Sequence, residues 1–81
     1  MPRLPVLSAR EIIAALTRGG FVVARTQGSH VILVHRDRER AAVVPIHGGR
    51  DVPPGTSRRI LRQAGMTVDE FLSLRESHGN S

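Results

Sequence analysis

Phe21-Val22-Val23-Ala24-Arg25-Thr26-Gln27-Gly28-Ser29-His30-Val31-Ile32-Leu33-Val34 decides the fold of this chain. Two runs rich in β-branched residues, Phe21 to Thr26 and Val31 to Val34, flank the turn signal Gln27-Gly28-Ser29. Such side chains suit a pleated surface, and the glycine allows a tight reversal, so the stretch reads as a β-hairpin. Ala41 to Ile46 is a third strand of the same character. Between the second and third strands, Arg36-Asp37-Arg38-Glu39-Arg40 alternates charges that are costly to bury, which makes it a solvated hairpin loop. The three strands form an antiparallel meander.

Helices flank this meander. Ser8-Ala9-Arg10-Glu11 has the S-x-x-E form of a capping box, with Leu7 and Ile12 placed as a hydrophobic staple. Ile12, Ile13 and Leu16, extended by Ala9, make one apolar face, and Gly19-Gly20 supplies the stop, so the helix spans about Ala9 to Arg18. After the third strand, His47-Gly48-Gly49-Arg50-Asp51 leaves the sheet as a loop. Pro53-Pro54-Gly55 then blocks a strand and suits a helix start. The second helix is expected over about Gly55 to Ala64, with Ser57, Ile60, Leu61 and Ala64 inward and Gly65 as its cap. Thr67-Val68-Asp69-Glu70 is another capping box, stapled by Met66 and Phe71, and opens a short third helix to about Leu74. Residues 76–81 read as a frayed tail, which leaves one domain over residues 1–75.

The fold class is therefore α+β. The order is α-β-β-β-α with a short C-terminal helix, and the helices cover one face of a three-stranded antiparallel sheet. The pattern does not say which face. Ile32 and Val34 share a side with His30, while Val31 and Leu33 point the other way, so both sides are partly apolar. An apolar outer face implies a partner or a self-contact; scattered surface valines are the competing reading.

Composition narrows the classes. With 81 residues there is room for one domain and a small core. Without cysteine there is no disulfide framework and no thiolate metal site. The hydrophobic content of 40% argues against disorder. No apolar run suits a signal peptide or a membrane helix, so the expectation is a soluble cytoplasmic protein. The net charge of +5 favours an anionic partner: nucleic acid, an acidic protein or a membrane surface. All 12 basic residues are arginine, which a GC-rich genome would also produce.

Two groups of residues could carry chemistry. His30 follows the Gly28-Ser29 turn, where glycine lets a ligand approach the backbone and Ser29 offers a hydroxyl and an N–H. A histidine titrating near neutrality can take a proton from one oxygen and return it to another. Arg25, across the hairpin, could hold a phosphate beside it. That set suits RNA cleavage by the 2′-hydroxyl, which needs a base, an acid and charge stabilisation. The plain alternative is a strand-edge histidine with no task. The second group is His47-Gly48-Gly49-Arg50 leading to Arg58, Arg59 and Arg62. A glycine loop before a helix start attracts phosphate, and arginine binds it bidentately; a solvated helix face is the competing reading. His30 and His35 face opposite sides of a strand and no helical histidine pair exists, so no metal site is expected. Both aromatic residues, Phe21 and Phe71, are core positions, which leaves none for base stacking. Recognition of RNA would rest on phosphates, the 2′-hydroxyl and shape.

The ordered motifs resemble a HicA-type toxin, the mRNA interferase of HicB–HicA toxin–antitoxin pairs. They are Gly19-Gly20-Phe21, Arg25-Thr26-Gln27-Gly28-Ser29-His30, Val44-Pro45-Ile46-His47-Gly48-Gly49, Pro54-Gly55-Thr56, Ile60-Leu61-Arg62-Gln63-Ala64-Gly65-Met66 and Glu70-Phe71. They span about Ile12 to Leu72, and their order and spacing are more specific than any one of them. The resemblance implies a fold similar to a double-stranded-RNA-binding domain. It implies endoribonuclease activity on mRNA without metal or cofactor, with His30 as the catalytic residue. Arg25, Gly28, Ser29, His47, Arg50, Arg58, Arg59 and Arg62 are the expected RNA-binding set. The implied partner is a HicB-type antitoxin covering the active site, in a hetero-oligomer that represses its own operon; a homo-oligomer is the other possibility, and no membrane is involved. Many members carry a second histidine directly after the first, where this chain has Val31. The group that protonates the leaving 5′-oxygen is then open, with His47 as the candidate. A non-catalytic RNA-binding module of the same fold is the alternative.

Overall fold

The computed structural model describes residues 3–46 and 48–76. Its first element is β1 (Leu7–Ser8), and Ser8 also caps helix α1 (Ala9–Arg18). The Ser8 hydroxyl accepts from the Glu11 N–H at 3.2 Å, and the Glu11 carboxylate accepts from the Ser8 N–H at 3.0 Å, which completes the capping box. The helix closes where the glycines stand. Gly20 takes φ 102°, the Phe21 N–H reaches the Leu16 carbonyl, and the Gly20 N–H reaches that of Thr17, the two bonds of a Schellman close.

The sheet follows as β2 (Val22–Gln27), β3 (His30–His35) and β4 (Arg40–Pro45), antiparallel in that order. Its register settles which face is covered. Val31 pairs with Val44 and Leu33 with Ala42, and all four are buried. Ile32 pairs with Val43 and Val34 with Ala41 on the opposite side, where Ile32, Val34 and Val43 are half-buried and Ala41 is exposed. The helices lie against the Val31 and Leu33 face, as one-sided cover requires.

After β4 the chain forms β5 (Asp51–Val52), then α2 (Pro54–Ala64) and α3 (Val68–Glu76). α2 buries Ser57, Ile60, Leu61 and Ala64, the inward face read from its spacing. It closes like α1: Gly65 is left-handed, the Met66 N–H reaches the Leu61 carbonyl and the Gly65 N–H that of Arg62. The Thr67–Glu70 capping box forms, with bonds of 2.9 and 3.0 Å. α3 packs on α1 and buries Phe71. The core joins Ile12, Leu16, Phe21, Leu33, Val44, Ile60 and Phe71 around one centre.

The 47–51 loop differs from its expected form at its end. Asp51 is in β5, which pairs with β1 through Leu7 with Val52 and Ser8 with Asp51. Each strand immediately precedes a helix, or nearly so, and their pairing holds the starts of α1 and α2 together. No described helix is long and apolar enough to cross a membrane. His47 and residues 77–81, with His78 among them, lie outside the described residues.

Candidate functional site

The turn that presents His30 is built by glycine. β2 ends at Gln27 and β3 begins at His30, so Gly28 and Ser29 form a two-residue hairpin loop. Gly28 has φ 57° and Ser29 does not share the positive φ, the pattern of a type II′ turn. A Cβ at Gly28 would meet nothing within 4 Å, so glycine serves the backbone angle there and leaves the outside open. The Ser29 carbonyl accepts the Ile46 N–H at 2.6 Å, which fixes the turn against the end of β4.

His30 is exposed and stands opposite Gln27 on one side and Pro45 on the other. Arg25 stands opposite Ile32. Directly opposed residues share a face, so His30, Gln27, Ile32 and Arg25 all lie on the sheet face away from the helices, with Arg25 a diagonal neighbour of His30. A bulge between Val23 and Arg25 interrupts the ladder farther along β2. Val31 points to the other face and is 9% exposed. A residue there is part of the core, on the side of the sheet away from His30.

The arginines expected around a glycine loop divide into two groups. Gly48 and Gly49 both take positive φ, 56° and 87°, and no atom would meet a Cβ at either. Arg50 follows them, but the β1–β5 pairing turns the chain toward α1. Arg50 accordingly lines a groove of about 690 Å³ with Arg10, Ile13, Ala14 and Ile46. Arg58, Arg59 and Arg62 are exposed on α2, beside β4.

The direction of α2 separates those three. Gln63 accepts the Val43 N–H at 3.0 Å, and Arg40 packs over Gly65. The C-terminal end of α2 therefore lies at the start of β4, and the helix runs antiparallel to the strand. Arg59 is one turn before Gln63 on the same stripe, about 6 Å along the axis. Two residues of β4, from Val43 to Pro45, cover about 7 Å. Arg59 is thus brought level with Pro45, the strand partner of His30. At 100° per residue Arg58 and Arg62 sit farther round the helix, away from β4.

His35 has a packing role. Its ring meets Phe21 edge-on at 5.2 Å, its Nδ1 accepts the Arg38 N–H at 3.3 Å, and its Nε2 lies against Gly20. Among the described residues no three His, Asp or Glu side chains gather as metal ligands would.

The residue that the sequence pattern missed is Arg10. It lines the groove beside Arg50, 40 positions away, and only the pairing of β1 with β5 brings them together. The resulting surface has an exposed imidazole on an open sheet face, an arginine on the same face, and arginines on both flanks. It can offer proton transfer at one point and phosphate binding around it. A family model described as the HicA toxin of bacterial toxin–antitoxin matches residues 9–66. No curated protein matches the chain.

Proposed function

We propose, for a chain that belongs to the HicA toxin family, that it is an endoribonuclease acting on mRNA, with His30 as its general acid/base. The observation that carries this reading is the exposure of His30 at a rigid two-residue turn, with Arg25 on the same open face. In the proposed reaction an imidazole nitrogen of His30 takes the proton of a ribose 2′-hydroxyl. The 2′-oxygen then bonds to the adjacent phosphorus as the bond to the 5′-oxygen breaks. The products are a 2′,3′-cyclic phosphate and a 5′-hydroxyl, whose proton comes from a second group. His47 is the candidate for that group. Arg25 and Arg59 would neutralise the charge that builds on the phosphate, and Gly28 and Ser29 would admit the backbone. His47, Arg50, Arg58 and Arg62 complete the proposed RNA-binding set. The chemistry as written draws on side chains of this protein, without metal or cofactor.

The family implies a toxin–antitoxin partner. We assign that role to a HicB-type antitoxin that covers His30 and the half-buried Ile32, Val34 and Val43 beside it. Covering an apolar face and a catalytic one together would make inhibition and stabilisation the same event.

The test is cleavage by His30→Ala. General acid/base catalysis is worth roughly 10²–10⁴ in rate, so cleavage should fall at least a hundredfold. The melting temperature should hold, because the side chain is exposed. Wild-type rates in the variant would remove His30 from the reaction. If the wild-type protein shifts RNA in a gel but releases no fragments with 2′,3′-cyclic ends, the fold serves as a non-catalytic RNA-binding module.

A further inference from the structure

We propose that the groove between α1 and the glycine loop is a second RNA-binding site, which takes the single strand on one side of the scissile bond and leads it along α1. The inference rests on the ribonuclease reading and names where its substrate continues. The groove has a floor of Ile13, Ala14 and Ile46 between Arg10 and Arg50, and none of the described residues lining it is acidic. A second, shallower groove of about 280 Å³ shares Arg10 and Ala14 and extends to Arg18. The two adjoin along Arg10 and Ala14 on the outer face of α1. Arg10 and Arg18 are eight residues apart on one stripe, about 12 Å along the axis.

Continuity with His30 is direct. Ile46, at one end of the floor, donates its N–H to Ser29, the residue before His30. A strand leaving His30 reaches the groove by turning round that end of the sheet. The chemistry fits one strand. Arginine forks bind phosphates, guanidinium planes can stack on bases, and the apolar floor accepts ribose and base faces. In the second groove Arg75 is bridged to Glu11 at 3.2 Å and Arg18 donates to the Leu74 carbonyl at 3.2 Å, so the proposal turns on Arg10, the arginine common to both grooves.

The test compares RNA lengths. A fluorescein-labelled 12-nucleotide single-stranded RNA is titrated against His30→Ala protein, with and without Arg10→Glu, at several salt concentrations. Cleavage of a trinucleotide is measured in the corresponding proteins with His30 intact. Arg10→Glu should weaken 12-mer binding about tenfold and flatten its salt dependence, while trinucleotide cleavage falls by a much smaller factor; Arg10→Lys should recover most of the affinity. Unchanged 12-mer binding overturns the proposal. So does an equal loss on both lengths, which would place Arg10 at the reacting phosphate. Loss of antitoxin capture with RNA binding intact also overturns it, and makes the groove a protein dock. If the wild type binds the 12-mer through Arg10 but cuts nothing, the catalytic reading fails and the RNA groove stands.

Discussion

Gly20 and Gly65 do the same backbone task at the ends of two helices, yet they differ in what a side chain would meet. At Gly65 a Cβ would approach the Arg40 guanidinium at 2.9 Å, the far end of a flexible chain that can swing away. At Gly20 it would come within 2.6 Å of His35 Nε2. That ring is held edge-on by Phe21 and by the Arg38 N–H. The φ of 102° at Gly20 is also farther from the left-handed well than the 69° at Gly65. Gly20→Ala should therefore cost about 2–3 kcal/mol and Gly65→Ala about 1 kcal/mol, read by urea denaturation. Equal losses would mean that the His35 ring yields freely. The sequence marks both glycines as helix stops. It could not mark His35 as their neighbour, because that contact joins a helix end to the far end of another strand.

Elements were legible where their signals are local. The Ser8–Glu11 and Thr67–Glu70 boxes start α1 and α3 where their spacing requires, and the Gly28-Ser29 turn sets the hairpin. β1 and β5 were not legible, since two residues carry no periodicity and their partners are 43 and 45 positions apart. The inner face of β3 stayed ambiguous for a different reason. Ile32 and Val34 are as apolar as Val31 and Leu33, and only the docked helices decide between them. The way β4 ends its sheet is likewise tertiary: Gln63 lends its side-chain oxygen to the Val43 N–H and occupies that edge. Gln63→Leu removes the acceptor and should cost about 1 kcal/mol. Hydrogen exchange at the Val43 amide should rise by more than at Ala42. An unchanged Val43 rate would show that the bond contributes nothing to the edge. β2, at the other edge, is exposed along its length and is interrupted by its bulge, a device that discourages strand addition.

At the scale of the molecule the arginines separate by task. Arg18 donates to the Leu74 carbonyl, Arg75 bridges to Glu11, and Arg40 covers Gly65, so part of the positive charge holds helices in place. The proposed RNA-binding arginines are spread in sequence, and folding places Arg25 on the open sheet face, Arg10 and Arg50 along the groove beside α1, and Arg59 beside β4. Glu11 ties this framework to pH. The Ser8 backbone N–H is the main influence that lowers its carboxyl below the ordinary 4.5; burial opposes this, and Arg75 adds to the lowering. A carboxyl lowered in the folded state stabilises above its unfolded pKa, and the benefit is lost as pH falls through the folded value. Glu11→Gln should therefore lower the melting temperature at pH 7 by a few degrees, with the gap closing as pH falls below 4.5 and through the folded value. The effect is modest because both side chains are more than a third exposed. A gap that persists at pH 3 would mean that shape, rather than charge, sets the contribution of Glu11.

The β1–β5 pairing also orders events in time. A chain made from its N-terminus has α1 early and the hairpin bearing His30 by the end of β3. The strand that turns Arg50 toward Arg10 exists only once Val52 has been added, and α2, with Arg59, comes later still. During synthesis the proposed imidazole and Arg25 therefore precede Arg50 and Arg59. A nascent toxin would hold RNA poorly until nearly the whole domain had emerged, an interval in which a partner already in place could meet the sheet face first.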